Sequence, residues 1–265
     1  MEGDEIKKEW WKTIFDGLYL VTDARSVMSD ELTAREMDFV LEFTGATKDW
    51  DILDLCGGQG RHAHELFSRG FEKATVYDFS DYLVKYGKEK CDRNVCFIRG
   101  DARDVGVKDG SFDLVTIMGN SFGYFPEDDE NLKILEEAMR VLRGGGIVLI
   151  DIIDRDYIER NFRPSSVHRA ALPKNANRGG EITVTRTRKI EGNIVHSREV
   201  VKGEDGGVLK DNRYSERLYG KEEIAALLSS VGFGGVTVEM GRAFHERPGD
   251  FGFMESRMMI KGKKV

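Results

Sequence analysis

The sequence predicts an α/β fold: a doubly wound, mostly parallel seven-stranded sheet with an antiparallel β insertion after the fifth strand. Three observations predict it. Short apolar runs alternate with longer amphipathic ones between residues 51 and 152. The first such run ends in the glycine-rich turn Cys56-Gly57-Gly58-Gln59-Gly60. Residues 181–219 then switch to a period of two, broken by glycines and acidic residues.

Residues 4–16 set Ile6, Trp10, Trp11, Ile14 and Phe15 at helical spacing, which predicts a first helix. A second is expected to start at Ser29–Asp30, both good N-caps, to bury Leu32, Phe39, Val40 and Phe43, and to stop at Gly45. Residues 1–50 are thus expected to form an N-terminal helical cap. Strand 51–55, helix 60–69, strand 74–78, helix 80–90, strand 95–98, strand 112–118, helix 129–142 and strand 146–152 follow. Right-handed crossovers leave few arrangements for this order other than a Rossmann-like sheet covered on both faces. Beyond it, ITVTRTRKI, NIVHSREVV and VLKDNRYSERLY alternate in period two and are separated by Glu191-Gly192-Asn193 and Gly203–Gly207, which are hairpin signals. The core pattern resumes with helix 221–231, a stop at Gly232-Phe233, strand 235–241 and a last strand near 253–261. The expected organisation is one domain, 51–155 with 218–265. It is interrupted by segment 156–217, which covers a substrate or joins two chains as a homodimer through strand edges.

Of the 265 residues, 40% are hydrophobic and 33% charged, an ordinary soluble composition, and no apolar run nears the roughly 20 residues that span a bilayer. The opening MEGDEIKKEWWKTIF lacks the apolar stretch and cleavage site of a signal peptide, so a cytoplasmic location without a membrane partner is expected. Three cysteines, Cys56, Cys91 and Cys96, suit neither a disulfide framework nor a structural zinc site. His168, His196 and His245 lack metal-ligand spacing, and no metal is expected. The net charge of −7 disfavours non-specific nucleic-acid binding. Residues 155–217 nevertheless carry 14 Lys and Arg against 9 Asp and Glu. That is either an unevenly charged solvated surface or a patch for an anionic substrate.

The chemistry concentrates around the first turn. Glycine is needed where the chain bends tightly and where a ligand approaches main chain with no Cβ in the way. Asp78, at the end of the second strand, can accept from both hydroxyls of a ribose. Asp101, after the third, can accept from an adenine amine. Asp54 lies inside the turn, where a carboxylate repels pyrophosphate but suits a ligand that carries an ammonium and no phosphate. A GxGxxG dinucleotide turn, which an oxidoreductase would need, is not matched.

The segment Asp54-Leu-Cys-Gly-Gly-Gln-Gly-Arg-His62 resembles the first motif of class I S-adenosylmethionine-dependent methyltransferases, commonly Asp-Leu-Gly-Cys-Gly-Thr-Gly. Tyr77-Asp-Phe-Ser80 resembles their second motif and Gly100-Asp-Ala102 their third. Phe112-Asp-Leu-Val115 resembles the start of their fourth strand, and Val141-Leu-Arg-Gly-Gly-Gly146 the turn before the fifth. Arg217-Leu-Tyr-Gly-Lys-Glu-Glu223 with Val231-Gly-Phe233 resembles the returning helix. The likeness covers 51–152 in order and 217–241 more loosely. It implies an enzyme with S-adenosyl-L-methionine as cofactor, held by Tyr19, Asp54, Cys56, Gly57, Gly58, Gly60, Arg61, Asp78, Phe79, Asp101, Ala102, Met118 and Asn120. Cys56 departs from the usual glycine; as a small residue it is expected to let the next two glycines take up the bend.

In this family the segment Thr116–Phe125 lies beside the transferred methyl. Enzymes acting on exocyclic base amines or on glutamine carry Asn/Asp-Pro-Pro-Tyr/Phe there, and this chain has Asn120-Ser-Phe-Gly-Tyr124 instead. The resemblance is to small-molecule methyltransferases, including those of amino sugars, and implies an anionic or amine-bearing metabolite. Substrate candidates are Asn120, Phe122, Tyr124, Tyr214 and Arg217. No motif fixes a catalytic group; His168 is the candidate base, with Tyr124, Tyr214 and His245 less favoured. The alternatives are an RNA or protein methyltransferase, and a non-catalytic S-adenosylmethionine-binding or scaffolding protein.

Overall fold

The structure is a computed structural model and describes residues 6–91, 95–173, 180–244 and 252–265; His245 lies outside them. The N-terminal cap is more broken than its periodicity predicts. Three single turns, α1 (Trp11–Ile14), α2 (Tyr19–Thr22) and α3 (Ala24–Val27), precede the long α4 (Asp30–Thr44). The break has a local cause. Asp16 Oδ1 accepts from the backbone N–H groups of Leu18 and Tyr19 at 3.0 and 3.1 Å, which starts a new turn two residues after Ile14. Helix α4 starts and ends where its caps predict. Ser29 Oγ accepts from Leu32 N at 3.2 Å, and Gly45 closes it at φ 71°. Ser29→Ala is expected to cost about 1 kcal/mol in urea unfolding, with an unchanged denaturant slope.

Alternating strands and helices follow: β1 (Ile52–Leu55), α5 (Arg61–Ser68), β2 (Ala74–Asp78), α6 (Asp81–Lys90), β3 (Cys96–Arg99), β4 (Phe112–Ile117), α7 (Asp128–Val141) and β5 (Leu142–Ile153). Then come α8 (Arg155–Arg160), β6 (Ser165–Leu172), β7 (Gly180–Glu191), β8 (Ile194–Lys202) and β9 (Val208–Arg217), and finally α9 (Lys221–Val231), β10 (Phe233–Arg242) and β11 (Arg257–Lys264). The seven-stranded sheet runs β10-β11-β5-β4-β1-β2-β3. Its first five strands are parallel, and β11 enters antiparallel between β5 and β10. One face packs Leu53, Leu55, Val115 and Ile150 against α7 and α9. The other packs Ile52, Val76, Leu114 and Leu149 against α4 and α5. Central strands buried on both faces, such as Phe112-Asp-Leu-Val-Thr-Ile117, follow from this double cover. The order reverses between β1 and β4, so the crevice of a doubly wound sheet opens beyond the carboxyl end of β1.

The other four strands form a separate antiparallel sheet, β6-β7-β8-β9. Strand β6 escapes sequence detection because, at the edge, it alternates only between exposed and half-buried positions and carries no apolar stripe. Side chains in a strand alternate faces, and the register fixes which residues share one. Arg186 faces Glu199, Arg188 faces Ser197 and then Tyr214, and His168 faces Val184. Glu216 is opposite Val195 on the same face. This inner face is apolar at one end, where Ile182, Val184 and Val201 pack on Leu18 and Val21 of the cap, and polar in its middle. The cap is pinned to both sheets. Gln59 Nε2 donates to Val27 O at 2.6 Å, Ser80 Oγ to Phe15 O at 2.7 Å and Lys210 Nζ to Ile14 O at 2.9 Å.

Candidate active site

Strand β1 delivers Asp54, which is 1% exposed, into the turn that follows. The turn differs from expectation at Cys56. The cysteine itself takes the left-handed conformation at φ 61°, followed by Gly58 at 57° and Gly60 at 78°. Cys56 shares the bend with Gly58 instead of leaving it to the next two glycines, and a non-glycine residue there carries a backbone cost of about 1–2 kcal/mol. Gly57 is required for another reason: a Cβ there would lie 2.6 Å from Asp54 Oδ2 and 2.9 Å from its carbonyl oxygen. Asp54 Oδ1 accepts from Thr116 Oγ1 at 3.2 Å, whereas buried Oδ2 has no hydrogen-bond partner and only His62 Nδ1 at 3.9 Å. Burial raises the Asp54 pKa, against the pull of His62 and Thr116. A buried acceptor without a donor, beside main chain stripped of side chains, fits the ammonium of an amino-acid tail.

The other two acids fit the rest of such a ligand. Asp78 spans the turn and α6, accepting from Gly58 N and Ser80 N at 2.8 Å each. Burial raises its pKa to about 6, opposed by those two N–H groups. Burial also works to raise Asp101, but the Arg103 guanidinium outweighs it, bonding at 3.0 and 2.6 Å. Arg103 in turn lies 5.2 Å from the Trp11 ring centroid and 4.8 Å from that of Phe125, building an aromatic cover from the cap and the segment between β4 and α7. All three acids line one cavity of about 130 Å³ with Cys56, Gly57, Gly58, Phe79, Ala102 and Met118. Gly60 does not line it; its Cβ position faces Phe97 at 2.6 Å, so it serves the packing of the turn.

A second cavity, about 380 Å³, opens beside the first and shares Phe15, Tyr19, Val27, Arg61, Gly119 and Tyr124 with it. The inner face of the antiparallel sheet is its floor, contributing His168, Arg186, Arg188, Glu199, Tyr214 and Glu216. Among the sequence candidates, Tyr124, Tyr214 and His168 meet here. His168 Nε2 lies 2.8 Å from Thr22 O, and burial lowers its pKa, so the ring is neutral at pH 7. Asn120 lines this cavity and not the first. Two substrate candidates are corrected. Phe122 is 2% exposed in the core, packed on Tyr219 at 5.6 Å between ring centroids. Arg217 turns away to Asp128 at 2.8 Å and Glu223 at 3.0 Å. The physical reason is the strand period: Tyr214 and Arg217 are three residues apart on β9 and cannot share a face. The same period would have picked Glu216, which pairs with Tyr214 on the inner side. Trp11 and Phe15 were also missed, because their approach to the cleft is set by the cap's broken turns, and so was Arg103, which Asp101 and Glu130 hold in place.

Beneath both cavities runs a buried charge network. Arg257, 1% exposed, donates to Asp151 Oδ1 at 2.6 Å and to Glu36 Oε1 at 2.5 Å, and both carboxylates are 0% exposed. Glu36 also takes Arg61 and, at 2.8 Å, His62. Asp151 Oδ2 accepts from Gly119 N at 2.8 Å, so the network ends on the turn where the two cavities meet.

Comparison with known proteins agrees with this geometry. Residues 52–146 match the family model described as a methyltransferase domain. The chain is 33% identical to the ubiquinone/menaquinone biosynthesis C-methyltransferase UbiE of Idiomarina loihiensis, over 42% of this chain and 46% of that protein. It spans about half the length of the curated relatives it matches. Among solved structures it is similar to the CcbJ methyltransferase of Streptomyces caelestis, with a TM-score of 0.67 and 16% identity over 88% of this chain and 90% of that one. It is also similar to the sugar N-methyltransferase KedS8 of a Streptoalloteichus species, with a TM-score of 0.65 and 15% identity over 100% and 96%. At such identities the likeness establishes the fold. Together, the sheet order, the ordered motifs and the matched family model identify the chain as built around a class I S-adenosylmethionine-dependent methyltransferase domain.

Proposed function

We propose that this chain transfers a methyl group from S-adenosylmethionine to a small, amine-bearing molecule. The observation that carries the reading is the joined pair of cavities: the cofactor cleft meets the second cavity along a wall of six shared residues. A confined space between cap, core and inserted sheet suits a small acceptor better than a polymer. An amine is favoured over an anion because the basic residues of the insertion are largely spent on carboxylates. Arg186 pairs with Glu199 and Asp23, Arg198 with Asp211, Arg169 with Glu181 and Lys210 with Asp16. The likeness to a protein named as a sugar N-methyltransferase supports the same choice.

When bound, the cofactor supplies a methyl group already activated on a sulfonium. The chain's own residues bind and orient. Asp78 would take the ribose hydroxyls, Asp101 and Arg103 the adenine side, and Asp54 the ammonium. Phe15, Tyr19 and Tyr124 wall the junction from water. Such positioning supplies on the order of 7–11 kcal/mol in a displacement of this kind.

The test is transfer of label from methyl-tritiated S-adenosylmethionine by the full chain into three separate fractions: small amines, total RNA and protein. Label is expected in the amine fraction. Label in RNA or protein instead would overturn the small-molecule reading. Failure of the folded chain to bind S-adenosylhomocysteine in calorimetry would favour a scaffolding role.

A further inference from the structure

The inner face of the antiparallel sheet brings a carboxylate into the second cavity, one residue from the Gly119 wall that it shares with the first. Glu216 Oε1 accepts from Asn120 Nδ2 at 2.8 Å. Asn120 is itself immobilised: its Oδ1 accepts from Ile153 N at 3.1 Å, its backbone N donates to Asp151 O at 3.0 Å, and it holds a left-handed φ of 61°. An asparagine kept in that conformation follows directly on Gly119, which lines both cavities. The device fixes a carboxylate beside the place where an acceptor atom must sit.

Around it stands a set of aromatic rings drawn from three parts of the chain. Trp10 lies 4.9 Å from Tyr124 and 5.5 Å from Tyr214 between centroids, and Phe15 stacks with Tyr124 at 5.9 Å. All four rings line the second cavity together with Glu216. Ring faces beside a carboxylate bind alkylammonium ions: the ring quadrupole and the carboxylate both attract the cation, and the rings tolerate added methyl groups that would have no hydrogen-bond partner. The charged and titratable groups that interact with Glu216 are Arg188, Arg186, Asp23, Tyr124 and Tyr214. Arg186 is engaged by Glu199 and Asp23 at 2.6 and 2.7 Å. Burial pushes the Tyr214 hydroxyl up to about 12 and the Tyr124 hydroxyl well up, so both stay protonated at neutral pH. Burial also raises Glu216, opposed by Arg188 and Arg186, which makes it a better proton acceptor than a solvated glutamate.

We propose that Glu216 receives the substrate's ammonium group and takes its proton, with Trp10, Phe15, Tyr124 and Tyr214 as walls that keep an already methylated nitrogen in place for a further methylation. The step balances within the site. One N–H bond breaks and leaves its electron pair on nitrogen, an O–H bond forms on Glu216, and the neutral amine is then the nucleophile. The proton passes to bulk water when spent cofactor exchanges for fresh, so the carboxylate is ionised again before each further transfer. The inference rests on the methyltransferase reading and adds a residue, a charge state and a capacity for successive transfers.

The experiment uses tetramethylammonium ion as probe and tert-butanol as its neutral match, titrated into the full chain saturated with S-adenosylhomocysteine at constant ionic strength. The wild type is expected to bind the cation at least about tenfold more tightly than the alcohol. Its cation affinity should fall on acidification as the Glu216 carboxyl takes up a proton. Glu216→Gln, which keeps an oxygen for Asn120, should lose that preference and that pH dependence while binding S-adenosylhomocysteine as the wild type does. Equal affinity for cation and alcohol, or an unchanged preference in Glu216→Gln, overturns the assignment of Glu216 and leaves the methyltransferase reading standing. Loss of S-adenosylhomocysteine binding by the wild type itself overturns both.

Discussion

Arg257→Met is expected to cost the fold about 3–5 kcal/mol, because it leaves two buried carboxylates without their shared cation. Arg257 bridges Glu36 of α4 and Asp151 of β5, and the three side chains are 1%, 0% and 0% exposed. Methionine replaces the aliphatic stem, so the loss is one of charge compensation more than of volume. Burial acts to raise the Glu36 pKa, but Arg61, Arg257 and His62 outweigh it and hold the group well below its ordinary value. A depressed folded pKa stabilises the protein above the ordinary carboxylate range, and that stabilisation is lost as pH falls through the folded value. Removing Arg257 weakens the depression, so acid unfolding should begin at higher pH in the variant. Urea unfolding at pH 7 checks the magnitude. The double variant Arg257→Met, Glu36→Gln should recover part of the loss, since it removes one of the stranded charges. A loss below about 1 kcal/mol would mean that water or rearrangement satisfies both acids. Because Asp151 also holds Gly119 N at 2.8 Å, the network couples the cap's stability to the turn that joins the two cavities.

What could be read from the sequence divides along the range of the interactions involved. Ser29 and Gly45 bound α4 as their side-chain and backbone chemistry predicts, because a cap is decided within four residues. Asp54, Asp78 and Asp101 lie at or just past the carboxyl ends of strands that run side by side in the parallel sheet, so their convergence on one cavity follows from strand order. The inserted sheet was legible as period-two segments, but its inner face was not. Arg217 looked like a substrate ligand by type and by nearness to Tyr214, yet it points to the opposite side, where Asp128 and Glu223 hold it. Glu216, its neighbour, reaches the cavity through a bond to Asn120 that lies 96 residues away in sequence. Phe122 shows the same limit: an aromatic beside the methyl-transfer segment lies in the core because Tyr219, from the returning chain, covers it. Local rules found the groups, and only long-range packing decided which way they faced.

Cofactor affinity is expected to weaken about tenfold per pH unit as the solution is acidified below about pH 6, and Asp78 is the reason. Burial lifts its carboxyl from 3.8 to about 6, and the N–H groups of Gly58 and Ser80 limit the rise. An ionised carboxylate can accept from both ribose hydroxyls, whereas its protonated form offers a donor of its own. For the free chain the sign is opposite. A folded pKa raised above the unfolded one removes stability as pH climbs from about 4 to about 6, by up to about 3 kcal/mol for this group. Titration of S-adenosylhomocysteine between pH 5 and 8, paired with urea unfolding of the free chain, should therefore show affinity rising while this contribution to stability falls. Asp78→Asn loses the charge and keeps an oxygen for one of the turn's two N–H groups, which bond to different oxygens of the carboxylate. It should bind about a hundredfold more weakly at pH 7.5, as expected for two bonds to an ionised acceptor, and with little pH dependence. A wild-type affinity that stays flat from pH 5 to 8 would remove Asp78 from the binding site. The opposed signs share one physical origin: a carboxylate held half out of water at an unfavourable cost is a stronger acceptor for two ligand hydroxyls than a solvated one, so the turn spends fold stability to hold a better binding group.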